Sequence, residues 1–186
     1  VGYTFGKMQF NSATNPQAWK DLGFSNQQLK DINSGKFNKQ TVEKMLQSKS
    51  KDISKMDKAQ LEKSKKYVSS FFGSKGLDVS DPFVFAQLMD ITNQYSQVFD
   101  DQTVKKLTNA SQGHKVTLEA VKKWRMSTLQ GRSNPSDQLR RFNNINKTLQ
   151  EGGLSLSTTS NITGTKLKPS MKQNKNEVTI RLALNL

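Results

Sequence analysis

The chain offers few groups for covalent or acid–base chemistry. It has no cysteine and one histidine, His114, in 186 residues. Thiolate nucleophiles, disulfides and zinc–thiolate sites are therefore excluded, and multi-histidine metal sites and most Ser-His-Asp schemes are disfavoured. Carboxylates, hydroxyls and amides remain. Two stretches gather them. The first is Val1–Pro16, a polar–apolar run with Gly2 and Gly6 that carries Tyr3, Thr4, Phe5, Met8 and Gln9. The second is Asp81–Phe99, the most apolar segment, which carries Gln87, Asp90, Asn93 and Gln94. Spacings of three and four put Asp90, Asn93 and Gln94 on one helical face. Polar residues on an otherwise apolar helix must meet water, a partner or a ligand. A substrate cleft and a surface helix edge both satisfy that demand. Asp90 is the acid nominated for an auxiliary role. Asp100-Asp101 reads as a helix cap. His114 follows Gly113 in a loop between helices and reads as exposed. Trp19 and Trp124 read as core, with stacking on a ligand an alternative for Trp19. No metal or cofactor site is expected.

The elements around these residues are helical. Asn15-Pro16 opens a short helix through Trp19 and Leu22 that stops at Gly23. Ser25 or Asn26 caps a second, and Asn38 starts a third. Asp57 with Gln60 has the pattern of a capping box opening a fourth helix through Phe72. Asp81-Pro82 opens a buried central helix reaching Phe99. Asp100 or Asp101 starts the next. Thr117 caps a helix running to about Gly131, and Asn134-Pro135 begins the last, ending at Gly152-Gly153. Beyond Gly153 the composition turns to Ser, Thr, Asn, Gly and Lys. The chain closes on strict alternation of Val178, Ile180, Leu182, Leu184 and Leu186 with polar or small residues. That pattern predicts a half-buried strand, with Leu154 and Leu156 as a short candidate partner. The expected organisation is a mainly α domain over 1–152 with an N-terminal β-hairpin, followed by a polar, strand-containing tail over 153–186.

Charge narrows the partner class. Lys and Arg number 29 against 15 Asp and Glu, a net +14. Residues 36–66 carry +6 and 103–150 carry +8, while 67–102 between them carry −4. Two basic regions thus flank a mildly acidic middle, which suits a polyanion. Nucleic acid and an anionic bacterial envelope are both candidates, and solvated lysine-rich surface is the plainer explanation of any single run. No run of apolar residues is long enough to span a membrane.

The opening stretch also carries a resemblance. Gly6-Lys7-Met8-Gln9 ahead of a helix start resembles the Gly-Leu-Met-Gln segment of goose-type lysozymes and lytic transglycosylases. Gly2-Tyr3-Thr4-Phe5-Gly6 resembles the Gly-Tyr-Thr-x-Gly segment of bacterial chitosanases and the corresponding hairpin of phage lysozymes. The resemblance covers about ten residues. It implies a lysozyme-like fold and a glycosidase that cuts peptidoglycan between N-acetylmuramic acid and N-acetylglucosamine. Thr4 would position the attacking water. Tyr3, Gln9, Gln87, Asp90, Asn93 and Gln94 would contact substrate, in a cleft between the hairpin and the central helix. Such a domain is secreted or delivered to the periplasm or wall, as an antibacterial effector or virion-associated protein, and a carrier or inhibitor is a possible partner.

This sequence departs from the family pattern in one respect. Glycoside cleavage needs a protonated carboxyl beside the leaving oxygen, held in a dry pocket that raises its pKa. In these families it is a Glu upstream of the motif, whereas the first acid here is Asp21, downstream. The start at Val1 rather than Met suggests an excised piece, so the Glu is expected either on a preceding segment or to be lost. A non-catalytic wall-binding or structural module of the same fold, or a basic nucleic-acid binder, are the alternatives.

Overall fold

The computed structural model describes residues 2–95 and 98–156. The chain is mainly helical with a small N-terminal antiparallel hairpin. It divides into two compact units, Val1–Lys63 and Ser64–Leu186. The predicted strand at 178–186 lies outside the described residues. Leu154 and Leu156 are described and are not in a strand.

The first unit opens with β1 (Thr4–Phe5) and β2 (Phe10–Asn11), with Thr4 opposite Asn11 and Phe5 opposite Phe10. Helices α1 (Pro16–Asp21), α2 (Asn26–Asn33) and α3 (Lys39–Gln47) follow. Their starts obey the sequence signals. Pro16 sits in the first turn behind Asn15, Ser25 and Gln28 form a reciprocal capping box, and the Asn38 side chain accepts from Thr41 N. Trp19 is the centre of this unit's core. It is fully buried, its ring meets Phe5 and Phe24 edge to face, and its indole N–H donates to the Phe10 carbonyl at 2.9 Å. That placement removes Trp19 as a sugar-stacking surface.

The fourth helix, α4, runs over Ser50–Ser74, so the unit boundary falls within it. Asp57 therefore does not open the helix as predicted; it lies two turns inside it. Its residue type sits on the inward stripe Asp57, Leu61, Ser64, Val68, Phe72, all buried. Something other than helix capping must use that carboxylate.

In the second unit α5 (Pro82–Tyr95) is the central helix. Residues Ala86 through Thr92 are buried without interruption, as the apolar character of this segment predicts. It opens where expected, with the Asp81 carboxylate accepting from Phe83 N and Val84 N. It ends short of Phe99, whose ring instead packs from the following loop among Tyr67, Phe71, Phe72 and Trp124. Then come α6 (Asp101–Ser111), α7 (Leu118–Ser127), α8 (Leu129–Ser133) and α9 (Pro135–Glu151). The helix expected to run from Thr117 to Gly131 is broken at Thr128. Thr128 is extended, and its hydroxyl accepts from Gly131 N to start α8. One parallel bridge joins Asp78 to Lys115, with Asp78 N donating to His114 O and Val116 N to Asp78 O.

Asp100 caps α6, as predicted. One of its oxygens accepts from Thr103 N at 2.7 Å and from the Thr103 hydroxyl at 2.8 Å. These bonds favour the ionised form and hold the carboxyl below its usual range. A lowered folded-state pKa means that this stabilisation is present above the unfolded-state value. It is lost as pH falls through the folded-state value. Asp100→Ala is thus expected to melt below wild type at neutral pH. The gap should close as pH drops below about 4, which thermal melts across pH will show.

Candidate functional site

The hairpin turn is Gly6-Lys7-Met8-Gln9, and it is built by a residue of α4. The Asp57 carboxylate accepts from Lys7 N through Oδ2 and from Met8 N through Oδ1, both at 3.0 Å. Successive backbone N–H groups of a turn form a concave donor site for an anion, and Asp57 fills this one. Gly6 is required twice over. Its φ is +70°, and a Cβ there would lie 2.6 Å from Asp57 Oδ1. Gln9 closes the turn at φ +56°, with its N–H to Gly6 O at 3.3 Å. Below the turn, Tyr3 and Ser12 exchange bonds. Tyr3 N donates to Ser12 Oγ at 2.9 Å, and Ser12 N donates to Tyr3 O at 2.8 Å. The Ser12 hydroxyl then donates to Asn33 Oδ1 on α2, and Asn33 Nδ2 returns to Ser12 O.

These anchors sort the predicted hairpin residues. Phe5 and Met8 are core, with Phe5 also paired to Phe10 at 5.1 Å between ring centres. Tyr3 is half-buried. Thr4 and Gln9 are exposed, as is Lys7. The hairpin therefore presents Thr4, Gln9 and Lys7 to solvent on backbone fixed by three helices. Such groups suit hydrogen bonding to a polyhydroxylated ligand. The acid in this cluster, Asp57, has both oxygens committed to backbone donors.

The polar residues of α5 have a different use. Gln87 is fully buried and Asp90 is 5 % exposed. They answer Arg125 of α7, itself buried. Arg125 Nη2 donates to Asp90 Oδ2 at 2.7 Å, its Nη1 to Gln87 Oε1 at 3.0 Å, and its Nε to Gln138 Oε1 at 2.9 Å. The second Asp90 oxygen accepts from Arg141 Nη2 of α9 at 2.7 Å. Gln87 Nε2 donates to Phe142 O and Asn146 Oδ1. Gln94 Nε2 donates to Asp90 Oδ2, and Gln138 Nε2 donates to Gln94 Oε1 and to the Tyr95 hydroxyl. Arg141 Nε is buried without a partner among the described residues.

Gln87 and Asp90 thus do not line an open cleft, as the sequence reading allowed. Their polar atoms are consumed by protein, because burying an arginine requires an anion and acceptors beside it. Asn93 and Gln94, half-buried, lie where α5 nears its end. Burial disfavours the charge of Arg141, yet its bond and attraction to Asp90 outweigh that and raise its pKa. Burial pushes the Tyr95 hydroxyl up, against the pull of Arg125 and Arg141.

The residues expected to share one cleft fall in different units. Tyr3, Thr4 and Gln9 belong to the first, and Gln87, Asp90, Asn93 and Gln94 to the second. Trp124 is core and His114 is exposed, as expected. The sequence reading took Asp57 for a helix cap and passed over Arg125, Gln138 and Arg141. Three of the four carried a signal. Asp57 falls on an apolar stripe with Leu61 and Val68, Arg125 falls beside Val121 and Trp124, and Gln138 falls in line with Phe142, Ile145 and Leu149. A polar residue in such a row must be paired inside.

Among the described residues no helix is long and apolar enough to cross a membrane, and no group of acids and histidine is placed to hold a metal ion. Comparison with family models, with curated proteins and with solved structures finds no match to this chain.

Proposed function

We propose that this chain is a peptidoglycan-binding domain of the lysozyme type, which engages the glycan strand through its N-terminal hairpin. One observation carries the reading. Gln9 holds a backbone conformation that glycine adopts at lower cost, and both it and Thr4 of the same hairpin are nonetheless exposed. Asp57 fixes that conformation from behind. Amide and hydroxyl groups on a rigid turn are suited to sugar hydroxyls and N-acetyl groups. The net charge of +14 favours approach to an anionic wall. In this reading the domain acts where peptidoglycan lies, as a secreted or delivered protein. Thr4 positions water in the cleavage of the bond between N-acetylmuramic acid and N-acetylglucosamine.

That cleavage also needs a general acid, which the reading assigns to a glutamate outside residues 2–156. A second reading, a wall-binding module without catalysis, is favoured by the state of the buried acids. Both oxygens of Asp57 and of Asp90 accept from N–H donors, so neither faces a leaving group.

Sedimentation with insoluble peptidoglycan tests the proposal. Retention is expected to persist at about 0.5 M salt, where screening removes most non-specific charge attraction. Gln9→Ala and Thr4→Val should each weaken it about fivefold, the worth of one hydrogen bond, with unchanged melting temperature. Binding that vanishes with salt and ignores both substitutions would instead make the chain a general polyanion binder, nucleic acid included. Release of soluble muropeptides separates the glycosidase from the binding module.

A further inference from the structure

Helices α1 and α2 of the first unit border a groove of about 650 Å³, within the size range of ligand sites. Each helix gives it one face. Pro16 and Lys20 stand four apart on α1, and Asn26, Leu29, Lys30 and Asn33 stand at i, i+3, i+4 and i+7 on α2. Pro16 and Leu29 supply apolar surface. Lys20 and Lys30 line the groove from its two sides, and both are exposed. The described residues that line it include no acid. The acids of these two helices are engaged elsewhere. Asp21 accepts from Gln17 Nε2 at 2.8 Å, and Asp31 accepts from Gln27 Nε2 at 3.1 Å and pairs with Lys36 at 3.3 Å. The groove is also fixed to the hairpin. Its residue Asn33 accepts from the Ser12 hydroxyl and donates to Ser12 O, just beyond β2.

We infer, on the reading that the hairpin contacts the glycan, that this groove takes the stem peptides of a peptidoglycan strand, with Lys20 and Lys30 pairing with their carboxylates. The two parts of that polymer differ in chemistry. Its sugars offer hydroxyls and N-acetyl groups, which suit Thr4 and Gln9 on the hairpin. Its stem peptides carry negative charge, and they combine carboxylates with alanine methyl groups. Two cations beside apolar surface match that combination. The Asn26 amide adds a donor and an acceptor for peptide groups. Lysine is a compact charge on a flexible stem, so it follows carboxylates whose positions vary along the polymer. A single exposed ion pair contributes little, so the preference needs both lysines on one ligand.

Titration calorimetry on the full chain tests this with a soluble disaccharide–pentapeptide of peptidoglycan. The same molecule with its carboxyl groups converted to amides is the uncharged comparison. At about 0.15 M salt, where distant charges are screened, the acidic form is expected to bind about tenfold more tightly. Lys20→Gln with Lys30→Gln should bring that ratio to about one at unchanged melting temperature. Lys51→Gln with Lys58→Gln removes the same charge from exposed positions of α4 and should leave the ratio as it was. Equal affinity for the two forms, or the same loss in both double variants, would overturn the inference. A tetraglutamate peptide that binds as tightly would also overturn it, by making the groove a general site for acidic peptides. Gln9→Ala separates this inference from the hairpin reading. It should weaken both forms alike and preserve their ratio. A preserved ratio with no effect of Gln9→Ala keeps the groove and removes the hairpin contact. A lost ratio with that effect intact does the reverse.

Discussion

Asp90→Ala is expected to lower the stability of the second unit by about 3–5 kcal/mol, the range for removing one member of a buried ion pair. The carboxylate is the anion for Arg125, whose side chain is 2 % exposed, and for Arg141. Arginine cannot shed its proton to escape. Without Asp90, Arg125 keeps only the neutral acceptors Gln87 and Gln138. A domain is typically stable by about 5–15 kcal/mol in total, so the loss takes a large share of what holds this unit together. Denaturant unfolding followed by helical circular dichroism will show it. Asp90→Asn keeps the shape and one acceptor, and should fall between Ala and wild type. An unchanged midpoint for Asp90→Ala would mean that the network contributes nothing. A role for Asp90 in substrate contact predicts the reverse pattern, with stability intact and binding lost.

Gly131→Ala should be nearly as damaging, at about 3 kcal/mol or more, the upper range for forcing atoms into a packed site. A Cβ on Gly131 would lie 2.2 Å from Arg125 O and 2.6 Å from Met126 Cα. Both are backbone atoms, so no side chain can swing aside. The close approach exists because Thr128 breaks the helix and folds α8 back on the last turn of α7. There the Thr128 hydroxyl donates to Arg125 O while accepting from Gly131 N. Displacing that turn also moves Arg125 relative to Asp90. The same denaturant series measures this variant, and wild-type stability would show that the approach relaxes freely.

Local chemistry was legible in the sequence and long-range pairing was not. Asn15-Pro16, Ser25, Asn38, Asp81 and Asp100 mark helix starts because caps act over three or four residues, and Asn134-Pro135 marks one through proline in the first turn, the Asn134 side chain making no cap bond. The apolar run after Asp81 announced a buried helix through its composition alone. The errors share a cause. Asp57 has the spacing of a cap, but its donors are Lys7 and Met8, some fifty positions away. Asp90 resembles a cleft acid until Arg125 and Arg141 are seen beside it. The break at Thr128 depends on Gly131 nesting against another turn, a tertiary fact. The hairpin was readable from its two glycines and polar–apolar run, and Thr4 and Gln9 on it are exposed. What holds them there was written elsewhere in the chain.

The order in which the chain is synthesised therefore differs from the order in which its parts can set. Residues 4–11 are made before the groups that fix them: the indole that bonds the Phe10 carbonyl, the amide that ties Ser12 and the carboxylate that seats the turn come from positions 19, 33 and 57. Contacts so distant along the chain form slowly compared with a helix. A nascent polypeptide that has not yet produced the middle of α4 carries its opening hairpin unfinished. The hairpin thus matures only after the helices that hold it have formed.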